Sequence, residues 1–159
     1  MISVGEQIPD VRLTAIIGDT ETEISTREFL SQGKVVLFSV PGAFTPTCSD
    51  YHLPGFVIFS DQILEKGVER IACVAVNDKF VMKAWGKTQN VGEEIAMIAD
   101  GNAEFTEALG LAMDGRAFGM GVRAKRYAMI IEDGKVTSLD IEPAGGVTVS
   151  GADAILAKL

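Results

Sequence analysis

Three short apolar runs, KVVLFSV (34–40), RIACVAV (70–76) and IAMIAD (95–100), limit what this chain can fold into more than any other feature. Runs of this length without polar alternation are the pattern of strands buried on both faces. Such strands need helices on both sides of their sheet. The segments between them supply helical patterns. GFVIFSDQILEKG (55–67) places Phe56, Phe59, Ile63 and Leu64 on one helical face, and Gly67 marks its end. Asn77 or Asp78 predicts the cap of a second helix, through about Lys87, with Phe80, Val81, Ala84 and Trp85 along one face. Gly101-Asn102 reads as a turn before a helix near 103–109. Strand, helix, strand, helix, strand is the signature of parallel α/β units.

The two ends of the chain depart from that rhythm. VRLTAII (11–17) reads as a strand near a sheet edge, and TREFLSQG (26–33) as a short helical turn closed by Gly33. RYAMIIEDGKVTSLDIEP (126–143) predicts an antiparallel hairpin around Asp133-Gly134. Ser150 predicts the cap of a terminal helix, with Asp153 in its first turn. The expected fold class is α/β, a mixed central sheet flanked by helices, of the thioredoxin-like kind. No repeat, linker or low-complexity segment divides it, so residues 1–159 are expected to form one domain. A chain of this length buries about two thirds of the surface that its unfolded form exposes.

Charge and cysteine usage narrow the function. A net charge of −8 argues against nucleic acid as a partner. The longest apolar runs are strand-length, so no membrane span is expected. The stretch MISVGEQIPD lacks a basic start and an apolar core, which favours the cytoplasm, or an organelle after removal of a presequence. Two cysteines and one histidine cannot close a tetrahedral zinc site by themselves. A domain of this size needs no disulfide scaffold, so Cys48 and Cys73 are read as thiols.

Cys48 lies in PGAFTPTCSD (41–50), directly after the first buried strand. Pro41-Gly42 turns the chain, Thr45 can cap a helix, and Pro46 suits its first position. Cys48 then sits in the first turn, near unpaired backbone N–H groups and the positive end of the helix dipole, a setting that favours a thiolate. The C-terminal ends of α/β strands are also where such folds place their active sites. The alternative is a small core residue, since free cysteine is often buried. Thioredoxin-like redox proteins carry CxxC here; this chain has Thr45-Pro46-Thr47-Cys48, which cannot form a local disulfide. Six residues on, Pro54 predicts a kink before the Phe56–Leu64 stripe continues. Downstream, Arg123, Lys125 and Arg126 form a basic cluster before a strand, and the residues alone do not single out one of them.

PGAFTPTCS resembles the PxxxTxxC signature of the peroxiredoxins, in the wording of the type II subfamily. HLPGF (52–56), VNDKFVMKAWGK (76–87), AKRYAMIIEDGKV (124–136) and IEP (141–143) resemble type II segments in the same order. The resemblance implies Cys48 as the peroxidatic cysteine, Thr45 as the hydroxyl that holds the peroxide, Pro41 as a ring shielding the thiolate, and Arg126 as the essential arginine. It implies a thiol-dependent peroxidase of hydrogen peroxide and organic hydroperoxides, without metal, flavin or haem, and a homodimer.

Subfamilies differ in how the oxidised cysteine is restored. Cys73 lies inside RIACVAV and reads as an inert core thiol, although some type II members carry a cysteine in this strand. Animal members place a resolving cysteine near the C-terminus, where this chain has Val149. An external thiol is therefore expected, glutathione with glutaredoxin or else thioredoxin. Other readings are a general thiol–disulfide or glutathione-transfer enzyme, and a redox sensor or chaperone-like protein using the same cysteine. His52 could pair with Cys48 as a base, but a packing and hydrogen-bonding role is preferred. Trp85 reads as core or subunit contact, and FGMGVRA (118–124) as a loop.

Overall fold

The computed structural model describes residues 1–159. In chain order, β1 (Arg12–Ile17) and β2 (Thr20–Ser25) lead into the short α1 (Thr26–Phe29), and β3 (Lys34–Ser39) ends at the Pro41 turn. A π-helical turn (Cys48–His52) runs into α2 (Leu53–Glu65), followed by β4 (Val68–Ala75), α3 (Lys79–Thr88) and β5 (Ile95–Ala99). Next come α4 (Glu104–Leu109), a two-strand ladder of β6 (Ala112–Asp114) and β7 (Val122–Ala124), the hairpin β8 (Tyr127–Glu132) and β9 (Lys135–Ile141), and α5 (Ala152–Leu156). The main sheet has seven strands in the order β2-β1-β5-β4-β3-β8-β9. Its centre, β3–β4–β5, is parallel, and every other pairing is antiparallel. This is the expected mixed sheet.

The three apolar runs form that parallel centre because neither of their faces meets water. Alternate side chains feed two apolar layers. Val36, Phe38, Cys73 and Met97 join Phe56, Ile63 and Trp85 on the α2/α3 side. Val35, Leu37, Ala72 and Val74 join Phe105 and Leu109 on the other. Cys48 and Cys73 both belong to the first layer.

β1 lies near the sheet edge, as expected, with β2 alone paired outside it, and three other expectations need correction. TETEIS has no apolar alternation, and its exposed glutamates mark the charged edge strand that resists further pairing. On α3, the cap is Asp78, whose Oδ1 accepts from Val81 N–H at 2.9 Å. That start turns Met82, Trp85 and Gly86 inward and leaves Phe80 outside, 71% exposed, off the face where it was placed. Ser150 is not a cap: Gly151 occupies that position before α5, and the Ser150 hydroxyl donates to Glu142 at 2.6 Å. The stretch read as a loop at 118–124 includes the end of a 3-10 turn and all of β7.

Candidate active site

The end of β3 and the start of β8 lie side by side, with Ser39 opposite Tyr127. This register brings the Pro41 turn and Arg126 to the same edge of the sheet. Ala43 N–H donates to Asn77 Oδ1 at 2.9 Å, tying the turn to the end of β4. Phe44 holds a left-handed backbone, φ 63°, which a non-glycine residue adopts only under constraint. The helix begins at Pro46, as expected, and Ser49 N–H donates to the Thr45 carbonyl at 3.0 Å. No sharp break at Pro54 is needed to satisfy the backbone. The chain widens into the π turn, Leu53 N–H reaches the Cys48 carbonyl, and Pro54 falls in the first turn of α2, where no donor is required.

Cys48 is fully buried at the start of that wide turn. Two donors converge on its sulfur. Thr45 Oγ1 lies 2.8 Å away and Arg126 Nη2 3.1 Å away. The Thr45 hydroxyl is also 2.7 Å from the Gly42 carbonyl, so its single proton has two acceptors to choose between. Arg126 is itself held. Its Nη1 donates to His52 Nδ1 at 2.8 Å, and His52 Nε2 sits 2.8 Å from the Ser150 carbonyl. A carbonyl can only accept, so Nε2 carries the ring proton and Nδ1 is free to receive the guanidinium N–H.

A second support lies behind the imidazole. Glu142 Oε2 accepts from the backbone N–H of Thr148 (2.9 Å), Val149 (2.8 Å) and Ser150 (2.8 Å), and from the Ser150 hydroxyl. Its Oε1 accepts from the Thr148 hydroxyl at 2.7 Å. Glu142 N–H in turn donates to the Arg126 carbonyl at 2.9 Å. One carboxylate thus fixes the loop whose carbonyl orients His52, and His52 orients Arg126. From the sequence Glu142 has no role and Ser150 only that of a helix cap, because a glutamate before a Thr-x-Ser segment is too common a pattern to mark a site.

Burial lowers the His52 pKa from 6.5 to about 4, against a raising effect of the Ser150 hydrogen bond, and the Arg126 charge lowers it further. Desolvation raises that of Glu142, but the bonds from Ser150, Thr148 and Val149 outweigh it and bring the carboxyl from 4.5 to about 2. Burial pushes the Cys73 thiol well up, and the nearby Cys48 charge adds to it, so Cys73 is a protonated core thiol. The His52 shift predicts a stability profile. The unfolded chain takes up this proton near pH 6.5, whereas the folded chain resists it until about pH 4. The stabilisation is therefore complete above about pH 6.5 and is lost as the pH falls to 4, by ~3 kcal/mol in all. Glu142 acts in the same sense lower down, between 4.5 and about 2. Urea unfolding at pH 7 and pH 4 should show that loss in wild type and much less of it in His52→Asn. Equal losses in the two proteins would contradict a buried, neutral imidazole.

The structure therefore gathers Cys48, Thr45 and Arg126, with Pro41 and Arg126 together lining a cavity beside them. Cys73 is in mid-β4, paired in register with Phe38 and Met97. Both cysteines are free. Of the basic cluster, Arg126 alone donates to the sulfur. Arg123 directs its guanidinium to the carbonyls of Met120 (2.9 Å), Val76 (3.4 Å) and Pro41 (3.5 Å), bracing the turn from outside. His52 has the hydrogen-bonding role, and Trp85 is core, its Nε1 donating to Ser49 Oγ at 3.0 Å. No three His, Cys, Asp or Glu side chains come together in a way that could hold a metal ion.

Known proteins share the whole chain. Arabidopsis thaliana Peroxiredoxin-2B is 45% identical over 159 residues, covering 99% of this chain and 98% of that protein. The chain is a peroxiredoxin. Its residues 3–156 match the redoxin family. The reduced Prx3 of Vibrio vulnificus, solved in complex with H2O2, superposes on this peroxiredoxin with a TM-score of 0.93 at 51% identity, covering 99% of each chain. Peroxiredoxin 5 of Alvinella pompejana does so with a TM-score of 0.86 at 38% identity, covering 99% of this chain and 97% of that one. With such relatives over its full length, this peroxiredoxin is a thiol-dependent peroxidase on the redoxin form of the thioredoxin-like fold.

Proposed function

We propose that Cys48 is the residue that reduces the peroxide. Its thiolate attacks the terminal oxygen of hydrogen peroxide or an alkyl hydroperoxide, forming the S–O bond as the O–O bond breaks. Sulfur is oxidised to sulfenic acid, and the departing oxygen takes up a proton to leave as water or alcohol. Negative charge spreads over two oxygens on the way, and the Arg126 guanidinium and Thr45 hydroxyl stand where they can stabilise it. The observation that carries this reading is the convergence of these two donors on one buried sulfur, at 2.8 and 3.1 Å. Pro41 shields that sulfur from water on the cavity side. The chemistry uses no metal, flavin or haem, so turnover should survive exhaustive chelation.

The sulfenic acid is then reduced from outside. A first thiol condenses with it, releasing water and leaving a mixed disulfide on Cys48; a second thiolate breaks that disulfide and regenerates Cys48. Glutathione with glutaredoxin is the favoured source and thioredoxin the other. Three observations support an external thiol: Cys73 is locked in the sheet, burial disfavours its thiolate, and Val149 offers no thiol near the C-terminus. Peroxide turnover by Cys73→Ala, with glutaredoxin and glutathione or with thioredoxin, should stay close to wild type. Its loss in the folded variant would make Cys73 the resolving thiol.

A cytoplasmic homodimer completes the proposal. Phe44 and Phe80, on two segments joined by the Ala43–Asn77 bond, stand 54% and 71% exposed and would suit a partner copy. Sedimentation should give twice the 16.9 kDa of the chain.

A further inference from the structure

A cavity of about 440 Å³ opens next to Cys48, lined by Thr47, Lys125, Arg126, Glu142, Gly145 and Gly146 among others. That is far more room than a peroxide needs and is within the usual range of small-molecule sites. Its charges are unevenly committed. Arg126 is engaged with Cys48 and His52. Glu142, the one acidic group on the wall, has both oxygens occupied by residues 148–150. Lys125 is different: its backbone is fixed by N–H donation to the Leu111 carbonyl at 2.9 Å, yet its ammonium has no carboxylate partner. A half-buried cation is thus left free at the edge of the reacting centre, in a chain of net charge −8. Another part of the wall, at Gly145-Gly146, is bare backbone. A side chain added at Gly145 or Gly146 would meet nothing within 4 Å, and neither amide makes a hydrogen bond within the chain.

We propose that this cavity seats the reducing thiol, and that the thiol is a small peptide-like one whose carboxylate rests on Lys125 while its main chain runs along Gly145-Gly146. The inference rests on the external-thiol reading above and specifies the molecule that enters. Thr47, next to Cys48 in the chain, and Arg126, 3.1 Å from its sulfur, form the end of the cavity toward which the thiol sulfur points. The first thiol gives up its hydrogen as the S–S bond forms and the sulfenic oxygen leaves as water. The second displaces it as the oxidised disulfide.

The test separates the two half-reactions. One equivalent of H2O2 oxidises Cys48, and the sulfenic acid is then mixed with glutathione or with glutathione diethyl ester, which carries the same sulfur without free carboxylates. Wild type should react about fivefold faster with the acid than with the ester, Lys125→Gln should show no preference, and Lys125→Arg should keep it. The wild-type preference should also shrink as salt is raised. A preference that survives in Lys125→Gln overturns the inference. So does a fall in the H2O2 step equal to that in the thiol step, which would make Lys125 a support for Arg126. Failure of both small thiols while thioredoxin still reduces Cys48 overturns it too, and leaves the external-thiol reading intact. Disappearance of the sulfenic acid into a Cys48–Cys73 disulfide with no thiol added overturns both.

Discussion

Arg126→Gln is expected to slow the reaction of Cys48 with hydrogen peroxide by about two to three orders of magnitude, the usual effect of removing one preorganised donor from developing negative charge. The guanidinium is 3.1 Å from the sulfur and cannot drift, because its other arm is held by His52 at 2.8 Å. Glutamine keeps some bulk but brings neither the charge nor the planar fork. Arg126→Lys should recover only part of the rate, since one ammonium cannot reach both Sγ and the imidazole as the fork does. His52 touches the arginine and not the sulfur, so His52→Asn should cost less, about tenfold, and nothing further once Arg126 is already Gln. Stopped-flow oxidation of the reduced protein, in single turnover, reads these rates without involving the reductant. An Arg126→Gln protein as fast as wild type would remove the guanidinium from the chemistry.

What could be read from the sequence follows the range of the forces involved. The three apolar runs declare the parallel centre because burial on both faces leaves a continuous local pattern. Thr45, Pro46 and Cys48 are legible for a similar reason: helix starts are written within a few residues. β2 was invisible because an exposed edge strand needs backbone partners and not apolar side chains, and TETEIS has none in alternation. Phe80 was misplaced because the cap at Asp78 sets which side of α3 faces inward. The choice of Arg126 over Arg123 and Lys125 came from resemblance; the physical reason is the Ser39–Tyr127 register, which joins segments far apart in the chain. Glu142 and Ser150 were missed on the same ground. Their effect passes through a loop, a carbonyl and an imidazole before reaching the arginine, and no local spacing encodes that path.

The largest effect expected is that of Cys48→Ser, which should abolish peroxide turnover with every reductant while leaving the fold intact. Serine keeps a hydrogen-bonding atom between Thr45 and Arg126, but its hydroxyl is not ionised at neutral pH and does not attack an O–O bond. The Cys73→Ala protein, by contrast, should react at close to the wild-type rate, since the thiol it lacks is protonated and buried in the wild type. The most direct measurement is to give each reduced protein one equivalent of hydrogen peroxide, trap sulfenic acid with a dimedone reagent, and locate the adduct by peptide mass. One adduct per chain on Cys48, in wild type and in Cys73→Ala, with none in Cys48→Ser, is the expected result. An adduct on Cys73, or peroxide consumed at an undiminished rate by Cys48→Ser, would contradict it.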